Sequence, residues 1–333
     1  REIVGTHSRE ATLKTADRCA DCVDDDYGFH GFAPNEDVHL TPTWIRVAPS
    51  GGSMQRIGVI GAGTMGHGIA QVCAMAGYDV ILCDANTAVL EAGLAKVREN
   101  LQKGVDRGKV EQSVMDDALA KLSSGTLAEA SAGADMVVEA VPEKLALKQS
   151  LFSEVAAVAP GSCILATNTS SLSIAGIASN LDDPGRVIGT HFFNPVHIMA
   201  LLEIIVGEDT RPDVLASVKA FGERIGKSVI TVNDFPGFAT SRLGVCLGME
   251  AIRMVEQGVA SPEDIDTAMV LGYRHPIGPL KLTDLVGLDV RMHIGEYLAK
   301  ELGNSAFEPP ALMRDMVAAG ALGKKVGKGF YDW

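Results

Sequence analysis

Basic charge is scarce in this chain of 333 residues. Its 29 lysines and arginines face 42 acidic residues, a formal net charge of −13, which argues against a general binder of nucleic acid or of an anionic membrane surface. Long apolar runs are missing too. None approaches the ~18 residues of a membrane span, and no signal peptide precedes the main body, so a cytoplasmic, membrane-free enzyme is expected. Cysteine is sparse, at six. Cys73, Cys83, Cys163 and Cys246 fall within apolar helix or strand patterns and read as small buried hydrophobes of a reducing compartment, with no disulfide framework. Residues 1–53 lack sustained periodicity, carry the acidic run Asp24-Asp25-Asp26 and end in Pro49-Ser50-Gly51-Gly52-Ser53. They are expected to form a disordered extension ahead of a fold that begins at Met54. Cys19-x-x-Cys22 with His30 and His39 does not match zinc-finger spacing, and no metal site is expected.

What is present is apolar bulk, 47% of the residues, enough for two sizeable cores. The stretch from Gln55 to Asp84, QRIGVIGAGTMGHGIAQVCAMAGYDVILCD, reads as strand, glycine turn, helix and second strand. Gly61 permits the tight turn, Gly63 lets backbone N–H groups approach a pyrophosphate, and Gly66 lets the helix pack on the strand. Thr64 and Met65, inside the same fingerprint, join the cofactor-binding set. The pyrophosphate would sit on the helix N-terminus, where unsatisfied N–H groups favour anions. Asp84 follows Gly61 by 23 residues, at the end of the second strand. Its carboxylate can accept from ribose hydroxyls and would repel a 2′-phosphate, and Ala85-Asn86-Thr87 offers no arginine. NAD is expected over NADP.

Further along, Thr87 to about Leu122 reads as a helical hairpin made basic by Lys96, Arg98, Lys103, Arg107 and Lys109. Strands follow at residues 135–141, 163–167, 186–193, 201–206 and 228–232, with helices between them, one starting near Pro142. This predicts an α/β fold with a Rossmann-type, doubly wound, mostly parallel sheet over residues 54–236. Ligand residues of such sheets lie just past the strand ends, which singles out Pro142-Glu143, Asn168-Thr169-Ser170 and His191 to Asn194. After Asn233-Asp234-Phe235-Pro236-Gly237 no convincing strand appears. The helix from Phe238 to Glu256 is apolar almost all round, so residues 237–333 are expected to form a smaller, all-α C-terminal domain.

Oxidising a secondary alcohol needs a base for the hydroxyl proton, and imidazole, with an ordinary pKa of ~6.5, suits that task near neutrality. His191 stands at a strand end. Glu203 lies between Leu202 and Ile204 in the next strand, an adverse setting for an unpaired carboxylate. The two residues are equidistant from His197, so strands running antiparallel about that point would place them face to face. Glu203 would then orient the imidazole and stabilise its protonated form.

The segments GAGTMGHGIAQ, AVPEKLALK, TNTSSLSI, HFFNPVHIMALLEI, NDFPGFATSR, GPLKLTDLVGLD and GKKVGKGFYDW together resemble the L-3-hydroxyacyl-CoA dehydrogenase family, which includes 3-hydroxybutyryl-CoA dehydrogenases. The resemblance covers Met54 to Trp333. It implies reversible NAD-dependent oxidation of a (3S)-3-hydroxyacyl-CoA to a 3-oxoacyl-CoA, an acyl-CoA substrate, and a homodimer through the helical domain. By the same resemblance His191 is the catalytic histidine and Glu203 its partner. Ser170 and Asn194 hold substrate and nicotinamide, Glu143 and Lys148 contact the cofactor, and Lys325 lies near it. Asn100 and Arg107 are the approximate equivalents of residues that meet the CoA adenosine. The chain departs from many members at Ser241 and Ala200, where asparagine and lysine are usual. Serine has a shorter reach and fewer polar groups, which bears on substrate positioning. Two rival readings are a β-hydroxyacid dehydrogenase that uses a lysine of its helical part and a non-catalytic NAD-binding protein. Neither needs a His191/Glu203 pair.

Overall fold

The computed structural model of the protein describes residues 54–333. The expectations for residues 1–53, with Cys19, Cys22, His30 and His39, lie outside the described residues. From Met54 the chain forms β1 (Arg56–Ile60), α1 (Gly66–Met75), β2 (Asp79–Cys83), the hairpin α2 (Thr87–Asp106) and α3 (Gln112–Lys121), then β3 (Leu122–Ser124) and α4 (Leu127–Ser131). There follow β4 (Met136–Glu139), α5 (Leu145–Val158), β5 (Ile164–Thr167), α6 (Ile174–Ala178), β6 (Val187–Phe192), β7 (Leu201–Val206), α7 (Pro212–Arg224) and β8 (Ser228–Asn233).

These strands form one sheet in the order β3-β2-β1-β4-β5-β6-β7-β8. Every pairing is parallel except β6 with β7. Because helices cover both faces, β4, β5 and β6 are buried at every position and read as short continuous apolar runs instead of alternating ones. One face packs Ile57, Val59, Ile69, Tyr78 and Leu82 with Phe192 and Phe221. The other packs Val137, Leu165 and Ile205 with Phe152 and Ile174. The strand order reverses between β1 and β4, which opens a crevice beyond their C-terminal ends, the place where such sheets bind ligands.

The remaining chain is a helical C-terminal domain of α8 (Thr240–Glu256), α9 (Pro262–Thr267), α10 (Pro279–Val286), α11 (Leu288–Leu302) and α12 (Ala311–Ala318). Val245, Met249, Ile252, Leu280, Leu288, Leu298 and Met313 form its core. Ser261 caps α9 by accepting from the Asp264 N–H at 3.1 Å. Where sheet and helices meet, Asp234 Oδ2 accepts from the Ser173 hydroxyl at 2.9 Å and the Ala175 N–H at 3.0 Å. That ties the 233–237 turn, which leads into α8, to the start of α6. At the far end the buried carboxylate of Asp284 takes the N–H groups of Phe330 and Tyr331 and the indole N–H of Trp333, each at 2.9 Å. The C-terminal GKGFYDW is thereby docked on α10.

Several details differ from the sequence expectation. Leu122 leaves the helix and pairs as β3 with Val80, because an unpaired edge of β2 offers it ladder hydrogen bonds. The short α4 carries a capping box, with Thr126 N–H on Glu129 Oε2 at 2.8 Å and Glu129 N–H on Thr126 Oγ1 at 3.3 Å. Helix α5 begins at Leu145, and the side chain of Glu143, ahead of it, is engaged with the loop after β5. Helix α8 is one-sided: Val245, Gly248, Met249 and Ile252 are buried, while Arg242, Leu243, Leu247 and Glu250 are exposed. Among the described residues no helix is long and apolar enough to cross a membrane.

Candidate active site

The turn between β1 and α1 is shaped for an anion. Gly61 has φ +97°, a conformation that favours glycine. A Cβ on Gly66 would lie 1.6 Å from the Gly61 carbonyl oxygen, so the helix can approach the strand only without one. Gly63, by contrast, would meet nothing within 4 Å. Met65, the N-cap of α1, provides no side-chain cap, which leaves N–H groups at the helix start for a ligand. Thr64 is exposed and Met65 half-buried beside them. Asp84 braces the same turn: Oδ2 accepts from the Ala62 N–H and Oδ1 from the Asn86 N–H, both at 2.8 Å. Each carboxylate oxygen keeps a lone pair for a second donor. This donor and acceptor set fits an adenine dinucleotide with free ribose hydroxyls.

Past the end of β5 and β6 lies the second half of the site. The antiparallel register pairs His191 with Glu203, and His191 Nδ1 stands 2.7 Å from Glu203 Oε2. Glu203 is fully buried. Its Oε2 also accepts from the Thr240 hydroxyl at 2.7 Å and its Oε1 from the Thr240 N–H at 3.0 Å, at the first turn of α8. Burial alone would raise the Glu203 carboxyl, but the hydrogen bonds from His191 and Thr240 outweigh it and hold the group below the ordinary value of 4.5. The helix N-terminus acts in the same direction. Phe193 and Phe238 flank the imidazole, with ring centroids 4.5 and 6.1 Å away. A base so held has one nitrogen committed to the carboxylate and Nε2 left for another partner.

Ser170 sits on the loop after β5. Glu143 Oε1 gathers that loop, accepting from the Thr169 hydroxyl at 2.6 Å, the Ser170 N–H at 2.8 Å, the Ser170 hydroxyl at 3.2 Å and the Ser171 N–H at 3.3 Å. Ser241, from α8, donates its hydroxyl to the Ser170 carbonyl at 3.2 Å. Asn168 Oδ1 accepts the Phe192 N–H at 2.9 Å, which couples the loop to the His191 strand. His191, Glu203, Ser170, Ser241 and Glu143 are thus brought together. Asn194 stands exposed just beyond β6, before a cis peptide to Pro195.

Other sequence candidates are placed elsewhere. Lys148 is behind the cleft, only 1% exposed, with its ammonium 2.6 Å from Glu139 Oε1 and 3.3 Å from Glu143 Oε2. A buried ammonium needs those carboxylates, so it meets the cleft through Glu143. Lys325 is spent on Asp289 at the start of α11, 2.6 Å from both oxygens. Asn100 donates to Gln71 Oε1 at 3.3 Å, and Arg107 is exposed at the end of α2. The hairpin is less basic than its lysines suggest, because Glu99 pairs with both Lys96 and Lys103. Ala200 is exposed at the end of the turn between β6 and β7.

Sequence reasoning missed Thr240, Phe238 and Lys227. Lys227 is buried and donates to the carbonyls of Val196 and Met199, the latter at 2.7 Å. It pins the turn that follows Asn194, and burial pushes its ammonium down to about 8. The unsatisfied acceptor capacity of a buried Glu203 was the one signal pointing to a further donor such as Thr240.

A doubly wound sheet with an uncapped glycine turn and a carboxylate-held histidine across the switch point defines a nicotinamide-nucleotide dehydrogenase. Residues 56–235 match the model of the 3-hydroxyacyl-CoA dehydrogenase NAD binding domain, and residues 237–333 match that of the 3-hydroxyacyl-CoA dehydrogenase C-terminal domain. The chain belongs to the 3-hydroxyacyl-CoA dehydrogenase family, and NAD is its cofactor. A probable 3-hydroxybutyryl-CoA dehydrogenase of Bacillus subtilis (strain 168) is 43% identical over 280 residues, 84% of this chain and 98% of that protein. A 3-hydroxyadipyl-CoA dehydrogenase of Escherichia coli (strain K12) is 38% identical over 84% of this chain and 59% of its own length. Among solved structures, (S)-3-hydroxybutyryl-CoA dehydrogenase from Ralstonia eutropha superposes with a TM-score of 0.81 at 40% identity, covering 84% of this chain and 99% of that one.

Proposed function

We propose that the protein catalyses the reversible, NAD-dependent oxidation of (3S)-3-hydroxyacyl-CoA to 3-oxoacyl-CoA, with His191 as the acid–base residue. The observation that carries this reading is the buried 2.7 Å pair of His191 Nδ1 and Glu203 Oε2 on the same sheet that carries the dinucleotide turn. NAD, when bound, supplies the hydride acceptor. Glu203 accepts Nδ1–H and thereby selects the tautomer whose Nε2 lone pair takes the proton of the substrate hydroxyl. In the reverse direction the protonated ring returns that proton to the ketone oxygen. The imidazolium of either direction faces an ionised carboxylate, which lowers the cost of charging the ring in a buried place. Ser170 and Asn194 are assigned to substrate and nicotinamide, Asp84 to the adenosine ribose, and Gly61 to Gly66 to the pyrophosphate. Asn100, Arg107 and Lys325 are retained as peripheral candidates for CoA and cofactor.

The proposed organisation is an extension over residues 1–53, a nucleotide domain over 54–236 and a helical domain over 237–333. In the helical domain Leu243, Leu247, Leu285, Val286 and Val290 are each at least 40% exposed, and this favours a homodimer formed there. The proposed compartment is the cytoplasm. The test is turnover of acetoacetyl-CoA with NADH, followed by a series of longer 3-oxoacyl-CoA thioesters and 3-oxoadipyl-CoA to define the acyl group. Tight NADH binding with no turnover of any of them would instead favour the non-catalytic reading.

A further inference from the structure

Behind the loop that carries Ser170 lies a charged cluster that the proton transfer at His191 does not use, although the resemblance assigns its Glu143 and Lys148 to the cofactor. Glu139, at the C-terminal end of β4, is fully buried. Its Oε1 accepts from Lys148 Nζ at 2.6 Å and from the Val141 N–H at 2.7 Å, and its Oε2 from the Thr167 hydroxyl at 2.7 Å. The same ammonium lies 3.3 Å from Glu143 Oε2. Glu143 therefore points one oxygen at Lys148 and the other at the donors of Thr169, Ser170 and Ser171.

We propose that Lys148, held in place by Glu139, is a positioning residue for the proposed reaction: its ammonium fixes the Glu143 carboxylate so that Glu143 Oε1 holds Ser170 in register with His191. The inference rests on the dehydrogenase reading above. A carboxylate has two oxygens and free rotation about its last torsions, so four converging donors alone leave its far side undirected. Lys148 supplies that direction, and its own stem is locked by burial. The connection onward runs through four consecutive residues. Thr167 bonds Glu139, Asn168 bonds the backbone of Phe192, and Thr169 and Ser170 bond Glu143. The segment 167–170 thus joins the buried charges to the strand on which His191 stands. A purely architectural pair would need Glu139 and Lys148 alone. The third carboxylate, at the edge of the cleft, is what a packing role leaves unexplained.

The test separates position from stability. Lys148→Met leaves Glu139 without its counter-charge and should lower both the melting temperature and kcat for acetoacetyl-CoA reduction. In Glu139→Gln with Lys148→Met both buried charges are gone, so the melting temperature should recover toward wild type. The turnover should not: kcat stays at least roughly tenfold below wild type, while the Kd for ADP-ribose, which occupies only the adenosine half of the site, changes little. Hydrogen exchange gives a reading independent of turnover. The amides of Ser170 and Ser171, bonded to Glu143, should lose protection in both variants. A kcat that recovers together with the melting temperature, or unchanged protection at Ser170 and Ser171, overturns the proposal. A wild type inactive on every 3-oxoacyl-CoA, with protection at those amides still lost in Lys148→Met, would retire the dehydrogenase reading and leave the positioning of the loop standing.

Discussion

Replacing Glu203 with glutamine removes one charge and changes almost no volume, so its effect can be worked from the contacts. The carboxylate serves three donors: His191 Nδ1–H and the Thr240 hydroxyl on Oε2, and the Thr240 N–H on Oε1. An amide has one oxygen. If that oxygen faces His191, the NH2 group confronts the Thr240 N–H, and an unsatisfied buried donor costs about 1–3 kcal/mol of stability. If the amide is turned round, Nδ1 must become an acceptor, the proton moves to Nε2, and the base is in the wrong tautomer. Either way the imidazolium loses its counter-charge. At a charge separation of about 4 Å and an effective dielectric of about 20 that attraction is of the order of 4 kcal/mol. The expected result is a kcat lower by roughly 10²- to 10³-fold, about 3–4 kcal/mol, with the NADH dissociation constant nearly unchanged. The variant is to be assayed with acetoacetyl-CoA and NADH and melted over a pH series. Because the folded-state carboxyl of Glu203 lies below 4.5, its contribution to stability is fully present above that value and is lost as pH falls through the lower folded one. The stability gap between wild type and Glu203→Gln should therefore be widest above pH 4.5 and close in stronger acid. A kcat within a fewfold of wild type, or a gap that widens in acid, would refute the assignment.

His191→Gln should cost about 10²- to 10⁴-fold in kcat and leave NADH binding intact, as measured by fluorescence titration; a wild-type kcat would place the proton transfer elsewhere. Asp84 predicts a kcat/KM preference for NADH over NADPH of at least roughly tenfold, or about 1.4 kcal/mol, and equal efficiency would dismiss its role at the ribose. Light scattering should report a dimer at micromolar protein, and Leu243→Glu should shift it toward monomer if the helical domain forms the interface. Removing residues 1–53, which lie outside both family matches, should leave specific activity and melting temperature close to those of the whole chain; an inactive or insoluble product would count against the proposed organisation.

Much of the fold was legible because short-range patterns carry it. Four-residue apolar runs, glycine at φ > 0 and an acid at a strand end are local signals. The placement of His191 opposite Glu203 needed just one further assumption, an antiparallel pair about His197. What stayed hidden depends on docking between segments far apart in the chain. Thr240 reaches Glu203 across 37 residues. Lys148, assigned by resemblance to the cofactor, is instead buried against Glu139, nine residues earlier at the end of β4, and nothing in the local pattern around either residue signals that pair. Edge strand β3 depended on the open side of β2, which no local pattern records.

Ser241 stands against the Ser170 loop, and its chemistry there can be followed one step beyond the shorter reach and fewer polar groups of a serine. A serine hydroxyl has a single proton to give, and here it is directed to the Ser170 carbonyl. An asparagine at this position could donate to that carbonyl and still present a second N–H and a carbonyl oxygen to a ligand. Ser241, while it holds the loop, offers a substrate only acceptor lone pairs. In the proposed reaction the donors that recognise a thioester or ketone oxygen would then come from the sheet side of the cleft, where the Asn194 amide and a protonated His191 are the groups available, the Ser170 hydroxyl being directed to Glu143 Oε1. If the proposed reaction holds, the departure at Ser241 would shift substrate recognition toward the nucleotide half of the site, and would make the geometry of the Glu143-bound loop more consequential here than with asparagine at that position.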